Sequence, residues 1–81
     1  MKLLYKPQVV KQLKKVPHTE QKKIIRKLEL LAADPHAGKP LKGELHNLYS
    51  LVAWPYRIIY EITTSSIIIY SIKHRQGVYK S

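Results

Sequence analysis

The chain has 81 residues, 44% hydrophobic and 25% charged, and it carries 15 lysines and arginines against five acids, a formal charge of +10. That length supports one domain spanning residues 1–81, the composition is that of a folded chain, and the cation excess implies a polyanionic partner: RNA, DNA, an anionic membrane or an acidic protein. The absence of cysteine excludes disulfides, zinc thiolate sites and thiol catalysis; no signal peptide or spanning helix is legible, because the apolar stretch Leu3-Leu4-Tyr5 stops at Lys6-Pro7, so a cytoplasmic protein is expected.

In chain order, residues 2–5 read as a short strand, and Pro7 follows where a helix would begin, a position at which its missing N–H costs nothing. Val9, Val10, Leu13 and Val16 recur at near-helical spacing, with Lys11, Lys14 and Lys15 elsewhere on the wheel, until Pro17 stops the run. A second helix is predicted over 18–33. Its apolar face is Ile24, Ile25, Leu28, Leu31 and Ala32, opposite Lys22, Lys23, Arg26 and Lys27, and its length is about 24 Å. The short break at Pro17 folds the two helices into an antiparallel hairpin, and Asp34-Pro35 closes the second.

Residues 35–47 hold two prolines, two glycines and two histidines and read as a loop, the long connection of the chain and hence a place for function. After it the period changes to two. Strands are predicted over 48–53, 56–63 and 67–75, separated by Trp54-Pro55 and Thr64-Ser65-Ser66. The expected architecture is β-α-α-β-β-β, a two-layer α+β sandwich with the helical hairpin packed on an antiparallel sheet.

Alternation puts Tyr56, Ile58, Tyr60 and Ile62 on the core face of the middle strand, and Arg57, Ile59 and Glu61 on the other. On the preceding strand Tyr49, Leu51 and Ala53 oppose Ser50, Val52 and Trp54. The last strand is ambiguous, since both Ile68-Tyr70-Ile72-His74 and Ile67-Ile69-Ser71-Lys73-Arg75 begin apolar. If the second set faces away from the helices, Arg57, Lys73 and Arg75 share one basic surface.

The element order resembles that of the RelE/ParE superfamily of bacterial and archaeal type II toxins. So do the turn Leu41-Lys42-Gly43, the strand Leu48-Tyr49-Ser50-Leu51, the strand Tyr56-Arg57-Ile58-Ile59-Tyr60 and the closing His74-Arg75-Gln76-Gly77-Val78-Tyr79. The resemblance implies a RelE-like fold, a cognate antitoxin as partner and, in the RelE branch, cleavage of mRNA on the ribosome by attack of a ribose 2′-hydroxyl on its own 3′ phosphate. Arg57 and Arg75 match the two family arginines, and Tyr79 the tyrosine that orients the nucleotide. Two lysines that RelE carries on the strand before the arginine fall at Ser50 and Val52, which implies an attenuated catalytic set, whether Val52 is natural divergence or a substitution.

Each candidate also has a structural reading. Arg57 suits bidentate phosphate contact, or an ion pair with Glu61 across about 13 Å of strand, a distance too long without bending. His74 is a candidate acid or base because imidazole exchanges protons near neutrality, or a surface residue at a strand end. Tyr79 stacks on a base or packs on the sheet edge, and Trp54 is a stacking platform or a hairpin prop. Lys39, Lys42 and Lys73 complete the RNA-binding candidates. The helix lysines are solvated faces that also suit nonspecific phosphate contact. No cofactor is expected, and His18, His36 and His46 show no metal-ligand spacing.

Three functions remain open: a ribosome-dependent mRNA interferase, a gyrase inhibitor of the ParE type, and an inactive basic RNA-binding remnant. The implied partners are an antitoxin, the ribosome and mRNA, without a membrane or a metal.

Overall fold

Prolines and a single glutamine shape the helical layer. In the computed structural model, which describes residues 1–41 and 47–75, Pro7 opens α1 (Pro7–Lys14) and Pro17 precedes α2 (His18–Ala33). The carbonyls at the end of α1 would be left without partners. Gln21 Nε2 donates to two oxygens at this end, Leu13 O at 2.9 Å and Val16 O at 3.0 Å, and so pins the start of α2 to the end of α1. At the far end of α2, Asp34 Oδ1 accepts from the His36 N–H at 3.2 Å as the chain enters a 3₁₀ turn, Pro35–Ala37.

The strands are β1 (Lys2–Tyr5), β2 (Lys39–Pro40), β3 (Leu48–Ala53), β4 (Tyr56–Ile62) and β5 (Ser66–His74), in the sheet order β1-β5-β4-β3-β2. The helices and the sheet together make a two-layer α+β fold. Two features differ from the sequence reading. The antiparallel arrangement holds for β2 to β5, but β1 runs parallel to β5, with Leu4 opposite Ile68, so the sheet is mixed. The segment read as loop contains the 3₁₀ turn and β2, whose Lys39 and Pro40 pair with Ser50 and Tyr49.

The core joins both layers: Val9, Val16, Ile24, Leu28 and Leu31 from the helical side, and Leu51, Ala53, Ile58, Tyr60, Ile67, Ile69 and Ile72 from the sheet. Val10 and Ile25, placed on the apolar faces by spacing, are exposed at the shoulders of their helices.

A bulge resolves the ambiguity of the last strand. Tyr60 pairs with Ile69 and Ile59 with Ser71, so Tyr70 is an extra residue and the buried set passes from Ile67 and Ile69 to Ile72. The displaced backbone groups find partners on α1, one turn apart: Tyr70 O accepts from Gln8 Nε2, and the Ile72 N–H donates to Gln12 Oε1, both at 2.8 Å. The bulge therefore sets which side chains beyond residue 70 join Arg57.

Candidate nucleic-acid interface

Register places Val52, Arg57 and Lys73 directly opposite one another across β3, β4 and β5, on the sheet face turned away from the helices. Arg57 is half-buried, Lys73 is exposed, and among the described residues no carboxylate lies within ion-pair distance of either. Two like charges placed opposite each other oppose sheet formation, and a bound anion would relieve them.

Beside this row lies a cleft of about 400 Å³ whose lining includes Gly38, Lys39, Pro40, Ser50, Val52 and Arg57. Its outer wall is held by Tyr60. That phenol crosses from the core to donate to Pro35 O at 2.9 Å and to accept from the Gly38 N–H at 3.0 Å. Burial raises the phenol above its ordinary value, against the lowering effect of the Gly38 N–H. Gly38 is required by space: a Cβ there would meet Tyr60 Oη at 2.5 Å and Ser50 O at 2.7 Å.

Ser50 is only 9% exposed, and its Oγ has no hydrogen-bond partner among the described residues. Such a hydroxyl is costly to bury unless something else binds it. Neither Gly38, Tyr60 nor the unpartnered state of Ser50 was legible from spacing, because each depends on how residues 35–40 wrap the sheet edge.

The other candidates fall into separate places. Lys39 lines the cleft with Arg57. His74 pairs with Tyr56, its ring edge-on at 5.1 Å, and so belongs to the opposite sheet face from Arg57. Arg75 follows the end of β5: its N–H donates to Pro55 O at 2.7 Å, and its guanidinium lies 4.9 Å from the centre of the Trp54 ring. Trp54 therefore carries a cation on its face as well as standing at the hairpin corner. As the strand spacing implies, Glu61 does not pair with Arg57; it accepts instead from Tyr70 Oη at 2.7 Å, which raises the Tyr70 phenol. Lys42 and Tyr79, and with them much of the turn and closing motifs, lie outside the described residues. No cluster of three potential metal ligands occurs among the described residues, and none of their helices is long and apolar enough to cross a membrane.

This fold has clear relatives. The family model for the ParE toxin of the type II toxin-antitoxin system parDE matches residues 3–79. The chain is a member of the RelE/ParE superfamily of type II toxins. Among solved structures, the RelB-RelE antitoxin-toxin complex of Methanococcus jannaschii is similar at 30% identity and a TM-score of 0.78, covering 94% of each chain. The RelBE2 toxin-antitoxin complex of Mycobacterium tuberculosis matches at 24% identity and a TM-score of 0.83, over 91% of this chain and 96% of that one. The isolated RelE toxin of E. coli matches at 20% identity and a TM-score of 0.77, over 90% and 82%. These last two likenesses concern the fold. No curated protein matches in sequence.

Proposed function

We propose that this toxin is a slow, ribosome-dependent mRNA endoribonuclease held in check by a cognate antitoxin. The observation that carries the reading is the row Arg57-Lys73 beside a cleft lined by Lys39 and Ser50. In the reaction the 2′-oxygen of a ribose attacks the adjacent phosphorus and its proton is removed. The bond to the following 5′-oxygen breaks, and that oxygen takes up a proton, leaving a 2′,3′-cyclic phosphate and a 5′-hydroxyl. Charge builds on the phosphoryl oxygens, where fixed cations act most strongly in a water-poor site. Arg57 offers two parallel N–H donors to those oxygens, and Lys73 and Lys39 add positive charge.

The described lining of the cleft holds no carboxylate and no imidazole, and His74 belongs to the other face. Electrostatic stabilisation then works without a strong general base in the described site, which makes for a slow enzyme. Val52 stands in the cation row where a basic side chain would extend it toward β3. Arg75 and Tyr79 keep the positioning roles that the family resemblance implies.

The test is cleavage of mRNA on programmed ribosomes. The wild-type chain is expected to cut slowly, Arg57→Ala to lose the activity, and Val52→Arg to speed it. No product from either the wild-type chain or Val52→Arg would sink the reading.

The antitoxin follows from the relatives that were solved as RelB-RelE complexes and from the charge of +10, which favours rapid capture of an acidic chain. A second reading, inhibition of DNA gyrase, is favoured by the family model's ParE description and by valine at position 52. A supercoiling assay separates it from RNA cleavage.

A further inference from the structure

A second cavity, about 520 Å³, opens along the part of β3 that β2 leaves uncovered. Val52, Ala53 and Trp54 form one side, and Lys23, Arg26 and Lys27 of α2 the other. The three cations sit at i, i+3 and i+4, one side of a helical turn, so they are aimed together at the hairpin corner. Val52 lines both this groove and the Arg57 cleft, so the two adjoin at that side chain. Trp54 is 59% exposed, with the Arg75 guanidinium against its ring. α2 carries two carboxylates, Glu20 and Glu29: Glu20 holds Lys23 at 3.4 Å, and among the described residues none pairs with Arg26 or Lys27.

We infer that this groove continues the RNA track: the nucleotide flanking the one held at Arg57 lies between α2 and the β3–β4 corner, its base on Trp54 and its phosphates on Arg26 and Lys27. The inference rests on the reading of RNA as substrate. An exposed indole among cations is the combination that binds single strands without reading sequence.

The size of the groove selects this occupant over a protein segment. Lys23 to Lys27 covers about 6 Å of helix axis, whereas an amphipathic helix needs anchors over at least two turns, about 10 Å or more. The volume falls in the range of about 300 to 1,000 Å³ typical of sites for compact ligands, in keeping with one or two nucleotides.

The experiment is equilibrium binding of a fluorescent single-stranded RNA octamer to the full chain, followed by anisotropy across a salt series. Arg26→Ala/Lys27→Ala is expected to weaken binding about 10-fold and to flatten the dependence of log K on log salt by about 1.4, the contribution of two phosphate contacts on a single strand. Trp54→Ala is expected to weaken binding roughly 10-fold with an unchanged salt slope, and Trp54→Phe to restore most of it. The control Lys11→Ala/Lys14→Ala removes the same charge from exposed positions on α1 and is expected to change affinity less than 3-fold. Melting curves for each variant verify the fold.

Equal losses in the control and the groove variant would overturn the inference, as would an octamer affinity indifferent to the groove. Retained RNA binding together with lost capture of an acidic protein partner would assign the groove to that partner and equally overturn it. Because the readout is binding, failure of ribosomal cleavage sinks the proposed activity without touching the groove. Cleavage with groove-independent binding sinks the groove alone.

Discussion

The two ends of the open sheet face are built from the same pair of strands and reach opposite electrostatic states. Near the Tyr56 end, Arg57 and Lys73 lie directly opposite each other with Val52 alongside, and no described carboxylate answers them. Near the Ile62 end, Glu61 accepts a 2.7 Å bond from Tyr70, and Lys6 Nζ stands 5.1 Å from the same ring. The bulge at Tyr70 separates the ends: it turns Tyr70 toward Glu61 and brings Lys73 into line with Arg57. One end satisfies its charge within the fold, whereas the other leaves the repulsion standing. A fold keeps such a conflict where a ligand resolves it.

The largest effect expected from this contrast is on activity at the unanswered end. Arg57→Ala should lower RNA cleavage by about 10²- to 10³-fold, roughly 2.7 to 4 kcal/mol of transition-state stabilisation, with little change in melting temperature. Glu61→Gln, one strand end away, should leave cleavage unchanged. Equal losses of activity in the two variants would break the distinction between the ends.

How far this was legible in the sequence follows from which signals carry a period. The core faces of β3 and β4 followed from alternation, with Leu51, Ala53, Ile58 and Tyr60 buried as expected, and Arg57 came out on the open face by the same rule. Alternation failed on β5 because Ile67, Ile68, Ile69 and Tyr70 are apolar in both parities, so nothing in the sequence marks the residue that the pairing skips. The bulge is fixed by Gln8 and Gln12 on α1, sixty residues away in the chain, a relation no local pattern encodes. Lys23, Arg26 and Lys27 read as a solvated helix face because helical spacing says which way side chains point, not what stands across from them. β2 escaped notice for its length, two residues with one a proline.

A smaller effect, on stability, probes the wall of the cleft. Gly38→Ala would push a methyl against Ser50 O and Tyr60 Oη, and since one of these is backbone, the segment must shift. The expected cost is about 1 to 3 kcal/mol by chemical denaturation, with cleavage reduced beyond what unfolding explains because Lys39 moves with the wall. An unchanged denaturation midpoint would mean that the wall yields freely, and that the cleft is not held in shape by Tyr60.

Tyr70→Phe tests the satisfied end by removing one donor from a part-buried bond. It should lower the melting temperature slightly and leave both RNA cleavage and octamer binding as they are. A loss of RNA binding would show that the Glu61 end belongs to the site, and would erase the contrast between the ends.

The smallest effect lies at high pH and isolates Tyr60, the side chain that ties the core to the cleft wall. Its phenol is held above its ordinary value chiefly by burial, with smaller contributions in the same direction from Tyr49 and Asp34. The unfolded chain therefore loses this proton first, near the ordinary value of about 10, while the folded chain still holds it. The stabilisation is complete below that pH and is lost as pH rises through the folded value, because the phenolate can no longer donate to Pro35 O. Tyr60→Phe lacks both hydrogen bonds and should melt lower at neutral pH, yet its melting temperature should fall less steeply than wild type between about pH 9 and about pH 11, so the two curves converge. Parallel curves would mean that Tyr60 ionises alike in both states, and coincident curves that its bonds to Pro35 and Gly38 contribute nothing to holding the wall.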